Sequence, residues 1–193
     1  HLTLMGPGAA GELARTGLGL RVEAEALAAM EEGELRRVDA GGALPLTAIR
    51  CSDVPVAAFD VLGDRDTVAA LRSRLVEAGV VPVGSGVWEA LRLEAGRPAF
   101  GDDLTEEHIP IEAGVHTRAI DYEKGCYTGQ EVIIRIRDRG RVNRHLRRLR
   151  LGDAPTPAAG TELWIEGRDR PAGHVTSAAA SPREGTLALA YLR

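Results

Sequence analysis

The chain has 193 residues, of which 44% are hydrophobic and 27% are charged, and its formal net charge is -4. This composition is typical of a water-soluble chain with one or two hydrophobic cores, and it excludes a largely disordered protein. Two cysteines are too few for a disulfide framework. Because no apolar run approaches the roughly 20 residues of a membrane span and no signal-peptide pattern opens the chain, we expect a cytoplasmic protein without a membrane partner.

The first 84 residues predict a compact α/β lobe. Their predicted elements are, in order, a strand at 2–5, a helix at 9–16, a loose acidic segment, strands at Leu44–Cys51 and Val56–Leu62, a helix that Asp64 caps and Gly79 ends, and a strand at Val80–Val83. This β-α-β-β-α-β order is that of a ferredoxin-like unit. The chain begins with His1 and enters a strand at once, so we expect its natural N-terminus to lie upstream.

The remainder of the chain predicts a second segment at 85–150 and a third at 151–193. A helix is expected at about Val87–Glu94, between two glycine-containing turns. The alternation of isoleucine and arginine at Ile134–Arg137 predicts a strand. After a linker rich in proline, alanine and glycine at Asp153–Gly160, short strands at Thr161–Arg193 predict a small all-β domain.

An octet of unusual composition, Lys124–Glu131, carries the chemistry of the chain. It reads Lys-Gly-Cys-Tyr-Thr-Gly-Gln-Glu and places a thiol, an amine, a phenol, an amide and a carboxylate around Gly125 and Gly129. Glycine permits positive φ and close approach of a ligand, so this pattern predicts a site-bearing loop that enters the following strand. Lys124 is the only lysine among 24 basic residues, which indicates a position that requires an ammonium group.

The two cysteines receive different interpretations. Cys126 is either a small buried hydrophobe or a functional thiol, and the neighbouring Lys124 and loop amides favour a nucleophilic thiolate. Cys51 ends an alternating apolar stretch with no polar residues clustered around it, so we expect a core residue.

A basic block at residues 135–150 contains eight arginines and a single acid, Asp138. On the predicted strand, the guanidinium groups would line one face and suit an anionic partner. The alternative is a solvated strand face whose arginines pair with the acidic first part of the chain, residues 1–134. Nucleic acid is not the expected partner, because aromatic residues for base stacking are not interleaved and the pI is about 5.8.

Metal binding is not predicted. Cys51 and Cys126 lie far apart, and the five histidines show no paired ligand spacing. His108 and His116 are expected to be surface or loop residues. No Walker loop or dinucleotide fingerprint is present.

The octet and the order of several other segments resemble a known family, the YgfZ-type folate-binding proteins. Their signature, Lys-Gly-Cys-Tyr-x-Gly-Gln-Glu, matches Lys124–Glu131 at every specified position. This group is similar to the aminomethyltransferase of the glycine cleavage system, the T-protein. The segments that support the relation are Arg92–Gly96, Pro110–Gly114, Gly140–Arg144, Gly173–Ser177 and Leu187–Tyr191.

The resemblance implies an α+β protein whose domains surround a reduced folate, tetrahydrofolate or a one-carbon derivative. The implied parts are a ferredoxin-like lobe at 1–84, a central folate-site segment at 85–150 and part of a C-terminal β-barrel at 151–193. Glu94 is implied to contact the pterin, the alternative being a surface acid at a helix end. The other implied folate-binding residues are Arg92, Tyr127, Gln130 and Arg141. Lys124 and Cys126 would carry the chemistry, with Gly125, Gly129 and Glu131 completing the motif.

Three functions follow from these observations. The first is a folate-binding accessory protein that supports iron-sulfur cluster assembly or repair in client enzymes, including tRNA-modifying ones, through Cys126. The second is a folate-dependent aminomethyltransferase, whose catalytic aspartate would lie upstream of His1. The third is a generic RNA-binding module.

Overall fold

A computed structural model of the chain describes residues 1–16, 23–38 and 45–193. They form two compact units, His1–Trp88 and Glu89–Arg193. Each unit contains an antiparallel four-stranded sheet, and helices accompany both sheets along the chain. The predicted α+β class is therefore confirmed.

The first unit is built on one sheet with the strand order β1-β4-β3-β2, in which every neighbouring pair is antiparallel. Its elements are β1 (Leu2–Met5), α1 (Ala9–Thr16), α2 (Ala24–Ala28), β2 (Leu35–Val38), β3 (Leu46–Cys51), β4 (Ala58–Leu62) and α3 (Arg65–Glu77). Three predicted strands and two predicted helices are thereby confirmed. Leu44, the expected start of the second strand, lies outside the described residues.

Helix α3 has the end signals that the sequence predicts. The Asp64 carboxylate accepts the backbone N–H groups of Asp66 and Thr67, each at 3.0 Å. At the other end Gly79 has φ +92°, and the Val80 N–H donates to the Leu75 carbonyl at 2.9 Å. A glycine in this conformation ends a helix because a Cβ would be strained there.

The predicted strand at Val80–Val83 is wrong, and with it the β-α-β-β-α-β order. This segment lies beside β1 in one pocket lining, but it has no strand structure. Pro82 has no N–H to donate to a ladder, and the Val80 N–H is already bonded to the end of α3. The fourth strand of the sheet is β2, which lies in the segment predicted to be loose.

The second unit contains the remaining sheet, with the order β5-β8-β7-β6. The chain continues through α4 (Ser85–Ala95), α5 (His116–Ala119), α6 (Gln130–Arg139), β5 (His145–Gly152), β6 (Glu162–Leu163), β7 (Gly173–Ser181) and β8 (Gly185–Leu192). The strands predicted beyond residue 161 are confirmed, and β8 is buried from Thr186 to Tyr191. In the described part of the chain the sheet is open, with β5 and β6 at its edges. The division into three domains stays a prediction. Its boundary between residues 150 and 151 falls within β5, which pairs with β8 of the same sheet.

The predicted strand at Ile134–Arg137 is wrong, because these residues lie within helix α6. The helix buries Ile133 and partly buries Ile136, which are three residues apart, whereas Ile134 is 38% exposed. Residues two apart on a helix lie about 200° around its axis, so Arg135 and Arg137 do not share a face. The arginine-lined strand face is therefore not formed.

Candidate functional site

The octet Lys124–Glu131 forms a surface turn that leads into α6. The Tyr127 N–H donates to the Gln130 Oε1 at 3.2 Å, and the Gln130 N–H donates to the Tyr127 carbonyl at 3.3 Å. Gly129, just before the helix, has φ +85°, a conformation that favours glycine. The predicted loop is thus present, but it enters a helix and not a strand.

Cys126 is exposed, as are Lys124 and Glu131. The interpretation of Cys126 as a buried hydrophobe is therefore wrong. The Lys124 ammonium lies 4.9 Å from the centroid of the Tyr127 ring, within the range of a cation–π contact. In the part of the chain that the structure describes, no hydrogen bond joins Lys124 to Cys126, so activation of the thiol by this lysine stays a prediction.

Cys51 is a core residue, as predicted, and is 7% exposed at the end of β3. Burial raises the pKa of its thiol to about 11, which disfavours the thiolate. Its Sγ accepts the Asp53 N–H at 3.4 Å. The two cysteines thus differ in both exposure and environment.

The arginines of residues 135–150 are mostly paired with carboxylates of the same unit. The pairs are Arg137 with Asp138, Arg144 with Glu112, and both Arg148 and Arg150 with Glu184. Among these pairs, the Arg144 partner Glu112 alone lies in the acidic first part of the chain, as the pairing alternative expected. Asp138 belongs to the basic block itself, and Glu184 lies in the last segment. Arg135, Arg141 and Arg147 have no carboxylate partner within residues 1–16, 23–38 and 45–193, which leaves them as the cations open to an external anion.

Arg141 lines an open groove of about 440 Å³ beside α6, which we call the α5–α6 groove. The groove begins near the octet, since its lining includes Tyr122. Its lining residues are Ile111, His116, Tyr122, Ile136, Arg137, Gly140, Arg141, Val142 and His145. None of them carries a carboxylate. Arg137 is paired with Asp138, so among the described residues Arg141 is the lining arginine without a carboxylate partner.

Arg92 is 3% exposed and has every guanidinium donor engaged. Its Nε and Nη2 donate to Glu89, its Nη1 donates to Asp103 and to the Arg97 carbonyl, and Nη2 also reaches Ser177 at 3.2 Å. These contacts account for all five N–H groups of an arginine. The geometry gives Arg92 a structural role, and its predicted contact with folate would require one of these bonds to be exchanged.

Glu94 is also buried, with a side chain that is 3% exposed, so the alternative of a surface acid is wrong. Its Oε1 accepts from the Ser181 hydroxyl at 2.5 Å, and its Oε2 is ion-paired with Arg183. The hydrogen bond from Arg183 holds the pKa of Glu94 below its ordinary value. Ser181 ends β7 and Arg183 lies in the turn between β7 and β8, so both carboxylate oxygens of Glu94 are bonded within the unit in this conformation.

Asp103, which no sequence pattern singles out, organises the second unit. Asp103 is fully buried, accepts from Arg92 and Ser177 at 2.6 Å each, and also accepts from Thr176. No local signal marks Asp103, because its two hydroxyl partners lie more than 70 residues away in the sequence. Of the histidines expected at the surface or in loops, His108 is a half-buried loop residue, whereas His116 begins α5 and has a buried Nδ1 without a hydrogen-bond partner among the described residues.

The described residues contain no group of three or more histidine, cysteine, aspartate or glutamate side chains arranged to hold a metal ion. Among the helices described in the structure, none is long and apolar enough to cross a bilayer.

Comparison with known proteins identifies the family. The model of the GCVT N-terminal domain matches residues 1–124. The chain is 38% identical over 117 residues to an aminomethyltransferase of Moorella thermoacetica, which covers 60% of this chain and 31% of that protein. It is 30% identical over 151 residues to a putative chloroplastic transferase of Arabidopsis thaliana, which covers 78% of this chain and 34% of that protein. The chain thus spans about a third of the length of these curated relatives.

A solved structure shows the same fold. The aminomethyltransferase T of the glycine cleavage system from Bartonella henselae superposes with a TM-score of 0.67 at 19% sequence identity, covering 98% of this chain and 74% of that one. The family model covers well over half of the residues, which shows the family, and the superposition shows the same fold independently. The chain belongs to the GCVT N-terminal domain family, whose T-protein-like fold it shares.

Proposed function

We propose that this protein is a YgfZ-type member of the T-protein-like family, which binds a reduced folate and supports iron-sulfur cluster assembly or repair in client enzymes through Cys126. The observation that carries this proposal is the exposure of Cys126 on a surface turn. A thiol at the tip of an exposed turn is accessible to a second protein, whereas a core thiol is not. The full match of Lys124–Glu131 to the family signature supports the same reading.

The described residues fit a folate in part. Arg141 lies in an open groove without a carboxylate partner in the described ranges. Tyr127 and Gln130 are half-buried at the start of α6, whereas Arg141 follows the end of this helix. These side chains are available to an anionic, aromatic ligand. Arg92 and Glu94 are not available in this conformation, because both are buried and bonded within the unit. Tetrahydrofolate would supply the one-carbon chemistry, and Arg141, Tyr127 and Gln130 would bind and orient it.

The test of the thiol is Cys126→Ser in the full-length protein. We expect normal folding and folate affinity but no rescue of iron-sulfur enzyme activity in cells that lack the protein. Thr128→Ser is the matched control, since position 128 is exposed and unspecified in the signature. Lys124→Arg should also impair rescue, because a guanidinium differs in shape and hydration from an ammonium. Full rescue by Cys126→Ser would refute the proposed role.

Folate binding is tested by calorimetry with tetrahydrofolate. Glu94→Gln should weaken binding by roughly 1.5 to 3 kcal/mol if Glu94 contacts the ligand, the range for a hydrogen bond to a charged group. Equal affinities of the variant and the parent would remove Glu94 from the site. Because Arg135, Arg141 and Arg147 are exposed without a carboxylate partner in the described ranges, polyglutamylated folate should bind more tightly than the monoglutamate form, and the difference in affinity should shrink as salt screens the contacts.

A second function is a folate-dependent aminomethyltransferase. The similarity of the chain to aminomethyltransferases of Moorella thermoacetica and other bacteria favours it. This function needs an acidic residue at the pterin N5 to N10 edge, in a segment upstream of His1. The sequence of the complete gene distinguishes the two functions, because an upstream segment without such a residue would exclude the transferase.

A further inference from the structure

The second unit without residues 116–139, which we call the base, is bonded across its parts. The long connection that follows α4 is fixed to the sheet at two points. The Tyr191 hydroxyl of β8 donates to the Asp103 carbonyl at 3.0 Å, and the Leu146 N–H of β5 donates to the Glu112 carbonyl at 2.7 Å. Because both donors belong to strands of the sheet, this connection holds a fixed position on it as far as Glu112.

Residues 116–139, which we call the α5–α6 arm, are shaped by contacts of short range. The Asp121 carboxylate accepts the Lys124 N–H at 3.3 Å, which bends the chain into the octet. The guanidinium carbon of Arg137 lies 5.4 Å from the centroid of the Tyr122 ring, so a cation–π contact joins the segment before the octet to α6. These contacts hold the arm together as a body but do not attach it to the base.

The α5–α6 groove separates the arm from the base. The arm contributes His116, Tyr122, Ile136 and Arg137 to the lining, and the base contributes Ile111, Gly140, Arg141, Val142 and His145. Apolar side chains therefore lie on both sides of an opening of about 440 Å³. Protein interiors are close-packed, so an opening of this size means that the arm and the base are not packed together along the groove. Movement of the arm toward the base would bury this apolar surface.

A glycine lies at each end of the arm. Gly114, two residues before it, has φ +71°, a conformation that favours glycine. Gly140 follows the arm directly, and an added Cβ there would lie 2.9 Å from the Ile136 Cα. Glycine adopts a wider range of backbone angles than other residues, and hinges consist of a few loop or element-terminal residues that absorb such changes. Both connections of the arm can therefore act as hinges.

We propose that the α5–α6 arm moves as one body about Gly114 and Gly140, from the open conformation of the structure to a closed conformation that fills the α5–α6 groove. Since Cys126 lies in the arm, the movement gives its thiol two positions relative to the sheet. The proposal goes beyond the proposed function, because it rests on the attachment of the arm and on the groove. It holds whether or not the thiol serves a client enzyme.

The experiment is ¹⁵N relaxation dispersion of the full-length protein. We expect exchange at the amides of the arm and of the groove lining, with one shared rate constant in the microsecond-to-millisecond range and a closed population of roughly 1–10%. The buried residues of β8, Thr186–Tyr191, belong to the base and should give flat profiles. Flat profiles throughout the arm, or separate rate constants for α5 and α6, would overturn the proposal.

A larger side chain in the groove should block closure. Val142 is half-buried and lines the groove, so Val142→Phe should lower the closed population by at least about tenfold, because the added ring overpacks the closed conformation. Val132→Phe is the matched control, since Val132 is 51% exposed on α6 and is not one of the lining residues. Its closed population should stay within about twofold of the parent. Equal effects of the two phenylalanines would contradict closure of the groove.

A substitution at Gly114 tests the hinge without filling the groove. Alanine is strained at φ +71° and closure changes this angle, so Gly114→Ala should change the closed population by at least about threefold. Gly101→Ala is the control, because Gly101 has φ +100° and lies in the base. It introduces comparable strain and should leave the closed population within about twofold of the parent. Equal changes in the two alanine variants would remove Gly114 as a hinge and overturn the proposed movement.

Discussion

The buried pair of Arg92 and Asp103 provides the sharpest test of how the second unit is held together. Arg92 is 3% exposed and Asp103 is 0% exposed. The Asp103 carboxylate accepts from Arg92 at 2.6 Å, from the Ala99 N–H at 3.0 Å and from two hydroxyl groups of β7. It thereby connects α4, the loop after it and the sheet. Replacement by alanine leaves all four donors without this acceptor.

Removal of one partner from a buried ion pair costs roughly 3–5 kcal/mol, because the other charge stays buried. Arg92 retains Glu89 and the Arg97 carbonyl, so we expect the lower end for Asp103→Ala, about 3 kcal/mol. For a chain of this size, 1 kcal/mol lowers the midpoint of thermal unfolding by about 2–4 °C, so the expected decrease is roughly 6–12 °C.

The assay is urea and thermal unfolding of the full-length protein, followed by far-UV circular dichroism. Asp102→Ala is the matched control, because Asp102 is adjacent and exposed and should change stability by no more than about 0.5 kcal/mol. The double variant Arg92→Met with Asp103→Leu removes both charges and should regain at least half of the lost stability. Equal effects of Asp102→Ala and Asp103→Ala, or a double variant no more stable than Asp103→Ala, would refute this reasoning.

Three further predictions concern the two thiols, the octet and acid stability. A thiol-specific reagent should modify exposed Cys126 rapidly and Cys51 only on unfolding, because burial raises the pKa of Cys51 to about 11; a single common rate would contradict the structure. Gly129→Ala should destabilise the protein by about 1–2 kcal/mol, since the φ of Gly129 is +85°. Gly125→Ala, the control, should change the free energy of unfolding by no more than about 0.5 kcal/mol. Both variants are measured by urea unfolding, and equal losses of stability would refute the conformational argument. The hydrogen bond from the Arg183 guanidinium holds the pKa of the Glu94 carboxyl below its ordinary 4.5. The ionised Glu94 therefore contributes stability above pH 4.5, and this contribution is lost as the pH falls through the lower pKa of the folded state. The stability advantage over Glu94→Gln should shrink over that acidic range, and a constant difference between pH 6 and pH 3 would refute it.

Local signals in the sequence determined the elements whose causes are local. Asp64 and Gly79 mark the ends of α3 because a cap carboxylate and a positive φ act within a few residues. The alternation that ends at Cys51 likewise predicts β3 and its buried cysteine. The octet Lys124–Glu131 was identifiable from its composition, and its turn conformation is set by Gly129.

Tertiary structure decided what local patterns leave open. The alternation of isoleucine and arginine at Ile134–Arg137 fits a strand. The segment instead forms part of α6, which buries Ile133 and half-buries Ile136 on one side of the helix. Asp103 accepts from Thr176 and Ser177 of β7, and Glu94 is bonded to Ser181 of β7 and to Arg183, which is 89 residues from Glu94 along the chain. Such pairs form only when distant segments pack together, and a low-dielectric interior then makes their bonding obligatory. The sequence by itself therefore determined the T-protein-like family, the octet and the capped elements, whereas only the packed fold decided which charged side chains are bonded internally and which remain open to a ligand.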